Sequence, residues 1–322
     1  MQAIQITETG TADVLEARAV ARPVAAAGQV LVRIHASGVN FIDVYQREGR
    51  YKLPLPFVLG QEASGVVEAV GDGVTGFAVG DEVAWCGVLG AYAEYAAVPA
   101  RVLLHVPVGI THHQAAAAML QGMTAHYLAK STYPLKAGDA ALIHAGAGGV
   151  GLLLIQIAKL CGARVITTVS TEAKAELAHG AGADEVILYM QQDFLAETKR
   201  LTDGAGVDVV YDSVGKTTFD SSLKCLKPRG MLVLFGGSSG AVPPFDLIQL
   251  SAMGSLYITR PTLVSYTLTR EELEWRARDI FNWVAEGKLK LRVEHVYPLA
   301  EAGRAHTELE SRATTGKLLL VP

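Results

Sequence analysis

The sequence predicts an α/β protein in which a doubly wound parallel sheet is joined to a β-rich domain, and three observations lead there. A length of 322 residues suggests two domains. From about Ala125 to Arg260, strand-sized apolar runs alternate with helical patterns, the signature of βαβ units and a parallel sheet. The first third, to about Arg101, instead carries short β-type runs such as QVLVRIHASGV and SGVVEAV, cut by Gly, Pro and Asp. The expected boundaries are 1–124, 125–260 and 261–322, with the last stretch returning to the first domain.

Within the first domain, the alanine run Ala115–Ala118 suits a helix. In the second, strands are expected at Ala140–Ala145, Arg164–Val169, Glu185–Tyr189, Asp208–Val214, Met231–Gly236 and Ser255–Thr259. Crossover helices are expected at Val150–Leu160, Glu172–Leu177, Phe194–Leu201 and Thr218–Leu226. Six strands complete a doubly wound domain. The tail adds an amphipathic helix around Arg270–Glu286 and a last strand at Lys317–Val321.

Composition narrows the function. Hydrophobic residues make up 50% and charged residues 19%, too apolar and too weakly charged for disorder. The net charge of -4 supplies no field to neutralise phosphates, which argues against nucleic acid as a partner. Cys86, Cys161 and Cys225 are odd in number and widely spaced, as for reduced cytoplasmic thiols. The opening MQAIQITETG has no basic region followed by an apolar run, so no secretory signal is read there. Two stretches lack charge, Val102–Ala129 and Ala140–Ala158. The first holds four histidines and Pro107, the second opens on an AGAGG turn, and neither suits a membrane span. The 33 glycines exceed the usual share of roughly 7%.

Part of that excess has a chemical reading. Gly146, Gly148 and Gly151 stand at G-x-G-x-x-G spacing, directly after an expected strand and opening an expected helix. Such glycines allow a tight turn and the close approach of a pyrophosphate to the positive helix N-terminus, so a dinucleotide-binding Rossmann domain is expected. NAD-selective sites place an acidic residue after the second strand, and here that position is Ser170. Lys174 follows within the first helical turn and Tyr189 ends the next strand. A cation and hydroxyls in place of a carboxylate favour the 2'-phosphate of NADPH.

A longer pattern lies upstream. GQEASGVVEAVGDGVTGFAVGDEV, with Gly60, Glu62, Gly65, Gly71, Val74, Gly80, Asp81 and Val83, resembles the G-H-E signature of the medium-chain dehydrogenase/reductase superfamily. The segments NFIDVYQREGRY, HAGAGGVG, VVYDSVG, FGGSSGA, GSLYITRP and ESRATTGK are similar to its zinc-free NADPH:quinone oxidoreductase branch, the relatives of zeta-crystallin. The resemblance covers the whole chain and implies that the β-rich domain is GroES-like and catalytic.

Where the superfamily's zinc enzymes carry a cysteine and the histidine of G-H-E, this chain has Asn40 and Gln61, neither a good substitute ligand. His105, His112, His113 and His126 have no Cys or carboxylate at ligand spacing. The expectation is therefore an enzyme with no metal. Lacking a Lewis acid, it needs an electrophilic acceptor, and a small-molecule quinone fits because reduction gives a delocalised phenolate. The resemblance implies hydride or single-electron transfer from NADPH to a quinone in the interdomain cleft. An NADPH-dependent reductase of alkenals or other conjugated double bonds is the alternative. A non-catalytic NADPH-binding protein, crystallin-like or RNA-binding, is a second.

For catalysis the resemblance points to Asn40, Tyr45 and Tyr51, with Tyr51 at the position of the proton donor proposed in related enoyl reductases. For the cofactor it implies Phe41, Ile42, Tyr127, Gly149, Val150, Ser170, Lys174, Tyr189, Ser213, Val214, Ser238, Ser239, Gly240, Ala241 and Arg312 beside the three glycines. It also implies a homodimer formed through the strand near Ser255–Ile258.

Overall fold

The computed structural model describes residues 1–322. The chain divides into two compact units. One comprises Met1–Met123, Thr267–Gly287 and Leu291–Pro322, the other Thr124–Tyr266 and Lys288–Lys290.

The first unit is built on a seven-stranded sheet around the strand Gln29–Val39. That strand is long enough to pair with three neighbours: Glu62–Val70 along its length, Tyr95–Pro99 over its first half and Lys317–Val321 at its end, all antiparallel. Two register shifts against Glu62–Val70 mark irregularities in that pairing. Its Val30, Val32 and Ile34 pack with Val67, Val83, Trp85 and Val98 in one cluster, while Val39 joins Leu318 and Leu320 in another. Each such side chain contributes about 1.5–3 kcal/mol by leaving water. The alanine run lies in the helix His112–Tyr127, where small side chains let the helix sit buried. At Gly122 the approach is so close that a Cβ would stand 2.9 Å from Ile280 Cδ1.

The second unit is a six-stranded, wholly parallel sheet. Its order is Glu185–Leu188, Arg164–Val169, Ala140–Ile143, Val207–Asp212, Leu226–Leu234 and Tyr257–Thr259. The strand order reverses beside Ala140–Ile143, and ligands bind at such switch points, at the carboxyl ends of the strands. The helix Gly149–Leu160 buries Leu152, Leu153, Leu154, Ile155 and Ile157.

Several boundaries differ from expectation. The first strand stops at Ile143 because Ala145 turns into the left-handed region, at φ +55°. The strand expected to reach Val214 ends at Asp212, whose carboxylate accepts the N–H groups of Val214 and Gly215 and closes a turn. Leu226, read as the end of a helix, opens the next strand, which runs to Leu234. The helix expected to stop at Leu177 continues to Gly180, and the edge strand begins only at Tyr257.

Candidate active site and cofactor edge

In the doubly wound unit the phosphate loop is shaped by close approach. A Cβ on Gly146 would stand 2.1 Å from Thr167 Oγ1, and one on Gly151 would stand 2.2 Å from the Ala145 carbonyl oxygen. Neither position has room for a side chain. Gly148 enters the helix with extended backbone and no side-chain cap. The first-turn N–H groups, including those of Gly149 and Val150, therefore lack intrahelical partners and present partial positive charge. A pyrophosphate fits that cradle.

The next strand ends at Val169, and Ser170 follows it, half-buried. Thr171 caps the helix Glu172–Gly180 by accepting the Lys174 N–H at 3.4 Å, which sets Lys174 in the first turn. Tyr189 donates its N–H to the Val169 carbonyl at 3.1 Å. Ser170, Lys174 and Tyr189 are thereby gathered at the ends of two neighbouring strands.

A second group forms around Asp212, which is fully buried. One carboxylate oxygen accepts the N–H groups of Val214 and Gly215 at 2.8 and 2.9 Å, and the other accepts the hydroxyls of Thr218 and Ser222 at 2.7 and 2.9 Å. Ser222 in turn meets His144 Nε2 at 3.0 Å, and His144 Nδ1 meets Thr168 Oγ1 at 2.9 Å. Burial pushes the His144 pKa down, so the ring stays neutral as a link in this chain. The turn held by Asp212 is laced to the next loop: Ser238 and Ser239 donate their N–H groups to Ser213 and Val214, and Ser239 Oγ donates to Val214 at 2.7 Å. Ser213, Val214, Ser238, Ser239 and Gly240 thus form one rigid edge, with Ala241 exposed after it.

Tyr127 also belongs to this unit. It is buried, with its ring stacked on Tyr266 at 4.5 Å. Arg312 belongs to the β-rich unit, as do Phe41 and Ile42. Arg312 is exposed at φ +60°, and Phe41 and Ile42 are half-buried in a helix.

That helix, Phe41–Arg47, follows Asn40, whose N–H is held by Asp43 Oδ2 at 2.9 Å. Tyr45 lies on it, and Tyr51 lies just beyond. Their rings meet edge to face at 5.9 Å, with Tyr51 46% exposed. Asn40 is nearly buried and its amide is fully engaged: Nδ2 donates to Glu62 Oε1 at 2.7 Å and to the Gly38 carbonyl at 3.3 Å, while Oδ1 accepts from Lys317 at 2.8 Å and Gln121 at 3.4 Å. Lys317 and Glu62 form a buried ion pair beside it.

Sequence reasoning did not find Lys317, Gln121, Asp212 or His144. A signal existed for three of them: Lys317 is a lone cation opening an apolar strand, and His144 and Asp212 sit inside the quoted HAGAGGVG and VVYDSVG segments.

The chain matches two family profiles, "Alcohol dehydrogenase GroES-like domain" over residues 26–108 and "Zinc-binding dehydrogenase" over residues 149–280. With the glycine cradle in a doubly wound unit, these define the class as the medium-chain dehydrogenases and reductases. The chain is 48% identical to the quinone oxidoreductase of Pseudomonas aeruginosa and 45% identical to quinone oxidoreductase 1 of Escherichia coli, with 99% of each chain covered. It is 44% identical to 2-haloacrylate reductase from Burkholderia over 92% of this chain and 91% of that one. The crystal structure of Escherichia coli quinone oxidoreductase complexed with NADPH superposes with a TM-score of 0.98 at 44% identity, covering all of both chains. This chain belongs to the quinone oxidoreductase family.

The second profile's name implies zinc, and the donor set does not fit it. The acceptors around Asn40 and Glu62 already converge on the Lys317 ammonium. No three His, Cys, Asp or Glu side chains are grouped to hold a metal ion. Of the four histidines noted above, His112 meets Ser64 Oγ at 2.8 Å, and His105 bonds the Gly76 carbonyl at 2.9 Å.

Proposed function

We propose that this protein is an NADPH-dependent quinone reductase that works with no metal. The observation that carries this reading is the cofactor edge. Its glycine cradle accepts a pyrophosphate, and past the second strand it offers Ser170, Lys174 and Tyr189 where an NAD site would hold a carboxylate. Near-half identity over the full length to proteins named quinone oxidoreductase, one of them solved with NADPH, supports it.

NADPH, when bound, supplies the hydride. The protein's own residues hold and orient. The Gly149 and Val150 N–H groups and Lys174 take phosphate charge, and the Ser213–Val214 and Ser238–Ala241 segments border the ring-bearing half. Arg312 adds a second cation for the 2'-phosphate. Phe41, Ile42 and Tyr127 supply apolar surface. Tyr45 and Tyr51 face the acceptor, where the Tyr51 hydroxyl can donate a hydrogen bond or a proton to the reduced oxygen. Asn40, its amide fully engaged, acts by holding the start of the helix that carries Tyr45.

A reductase of conjugated double bonds is the second reading, favoured by the 44% identity to 2-haloacrylate reductase. Steady-state NADPH oxidation with benzoquinones, alkenals, haloacrylates and simple ketones separates the two. The quinone reading expects kcat/KM for quinones to exceed that for every alkenal and haloacrylate. A preference for conjugated acids or alkenals would replace it with the second.

The assembly proposed is a homodimer through the sheet edge Tyr257–Thr259, where Tyr257 is 57% exposed and the strand has one neighbour. The setting proposed is the cytoplasm, in keeping with three free cysteines. No helix is long and apolar enough to cross a membrane.

A further inference from the structure

Lys317 opens the last strand of the chain, and its side chain is buried with that of Glu62. Two ions drawn out of water are costly unless every lone pair and proton finds a partner. Here the count closes. An ammonium has three N–H donors, and three oxygens converge on Nζ: the Val39 carbonyl at 3.3 Å, Asn40 Oδ1 at 2.8 Å and Glu62 Oε1. Glu62 Oε1 also accepts from Asn40 Nδ2, and Oε2 accepts the Leu120 N–H at 2.6 Å. Gly38 leaves room for the pair, since a Cβ there would stand 2.1 Å from Glu62 Oε1 and 2.6 Å from Lys317 Cε.

The charges decide which way the Asn40 amide points. Its oxygen must face the ammonium and its NH₂ the carboxylate, because the flipped amide would set N–H against N–H and oxygen against oxygen. Asn40 in turn begins the helix that carries Phe41, Ile42 and Tyr45.

We propose that Lys317 is a positioning residue whose ammonium serves as the resident cation of this site, gathering Val39, Asn40 and Glu62 so that the helix bearing Tyr45 starts in one fixed orientation. The catalytic consequence rests on the quinone-reductase reading. The cation-binding consequence does not.

The experiment is chemical rescue. Lys317→Ala removes the atoms from Cγ to Nζ, which propylammonium matches and propan-1-ol matches without the charge. Lys317→Ala should lower Tm and reduce kcat/KM for a quinone by about tenfold or more, with NADPH affinity unchanged within about twofold. Propylammonium chloride should restore part of both Tm and kcat, beyond any effect of sodium chloride or propan-1-ol at equal concentration. Equal rescue by propan-1-ol, or no rescue by the amine, would overturn the proposal. Lys317→Met and Lys317→Arg cover the case in which the alanine variant does not fold: Arg should keep more Tm and kcat/KM than Met, and a Met variant matching wild type would equally overturn it. If the wild-type protein turns over no quinone, the reductase reading fails, while Tm with and without propylammonium still decides the cation site.

Discussion

Tyr45 and Tyr51 meet edge to face, 5.9 Å between ring centroids, and the Tyr51 N–H bonds the Tyr45 carbonyl at 3.3 Å. The contact fixes the ring of an exposed tyrosine against the helix that Asn40 begins, which leaves the Tyr51 hydroxyl free to serve a bound acceptor. Tyr51→Phe keeps the ring contact and removes only the hydroxyl. It should lower kcat with quinones by about tenfold or more and leave the KM for NADPH unchanged. Unchanged kinetics with every acceptor would remove Tyr51 from the mechanism.

Lys174 is set in the first turn of its helix by the Thr171 cap. Its ammonium is assigned to the 2'-phosphate, a group NADH lacks. Lys174→Ala should raise the KM for NADPH by about tenfold and barely move that for NADH. Equal effects on both would contradict the assignment.

Asp212 holds the turn that carries Ser213 and Val214 through four hydrogen bonds. Asp212→Asn replaces one acceptor oxygen with an NH₂ and should weaken NADPH binding by about tenfold, read by quenching of protein fluorescence. Asp208, at the opposite end of the same strand, gives the comparison: Asp208→Asn should leave NADPH affinity near wild type. Similar losses in both variants would show a general loss of stability instead.

Asp43 and His306 lie on either side of the Tyr92 hydroxyl, which donates to Asp43 Oδ2 at 3.0 Å and sits 3.2 Å from His306 Nε2. Burial raises the Asp43 carboxyl from 3.8 to about 7, against hydrogen bonds from the Asn40 N–H and the Tyr92 hydroxyl that pull it down. Burial, and then the nearby Arg47 cation, lower His306 from 6.5 to about 3. For Asp43 the folded state holds the proton more tightly, so stability falls as pH rises from about 4 to about 7. For His306 the unfolded state holds it more tightly, so stability falls as pH drops from about 6.5 to about 3. Between about 4 and 6.5 the two slopes cancel. His306→Gln should unmask the Asp43 slope, a loss of about 1.4 kcal/mol of stability per pH unit on going from pH 4 to pH 6.5 relative to wild type. Urea unfolding across that range checks it, and a parallel profile in the two proteins would refute the pairing.

The parts legible in the sequence are those whose cause is local. The strand Arg164–Val169, the helix Phe194–Leu201 and the strand Lys317–Val321 fall where apolar periodicity puts them, and the phosphate loop follows from glycine spacing. The environment of Asn40 was not legible, because its amide is engaged by Glu62, 22 residues on, and by Lys317, 277 residues on. In the sequence, Asn40 shows only as an amide where the zinc enzymes carry a cysteine. Strand ends were missed for a related reason: whether a strand stops at Asp212 depends on its side chain capturing two backbone N–H groups, which no periodicity records.

The proposed activity is the transfer of reducing equivalents from NADPH to quinones with no metal. It is tested most directly by the decay of NADPH absorbance at saturating benzoquinone, before and after exhaustive dialysis against a strong chelator. Turnover at an unchanged rate after dialysis is the expected result. Absence of NADPH consumption, or its loss on chelation with recovery on added zinc, would contradict it.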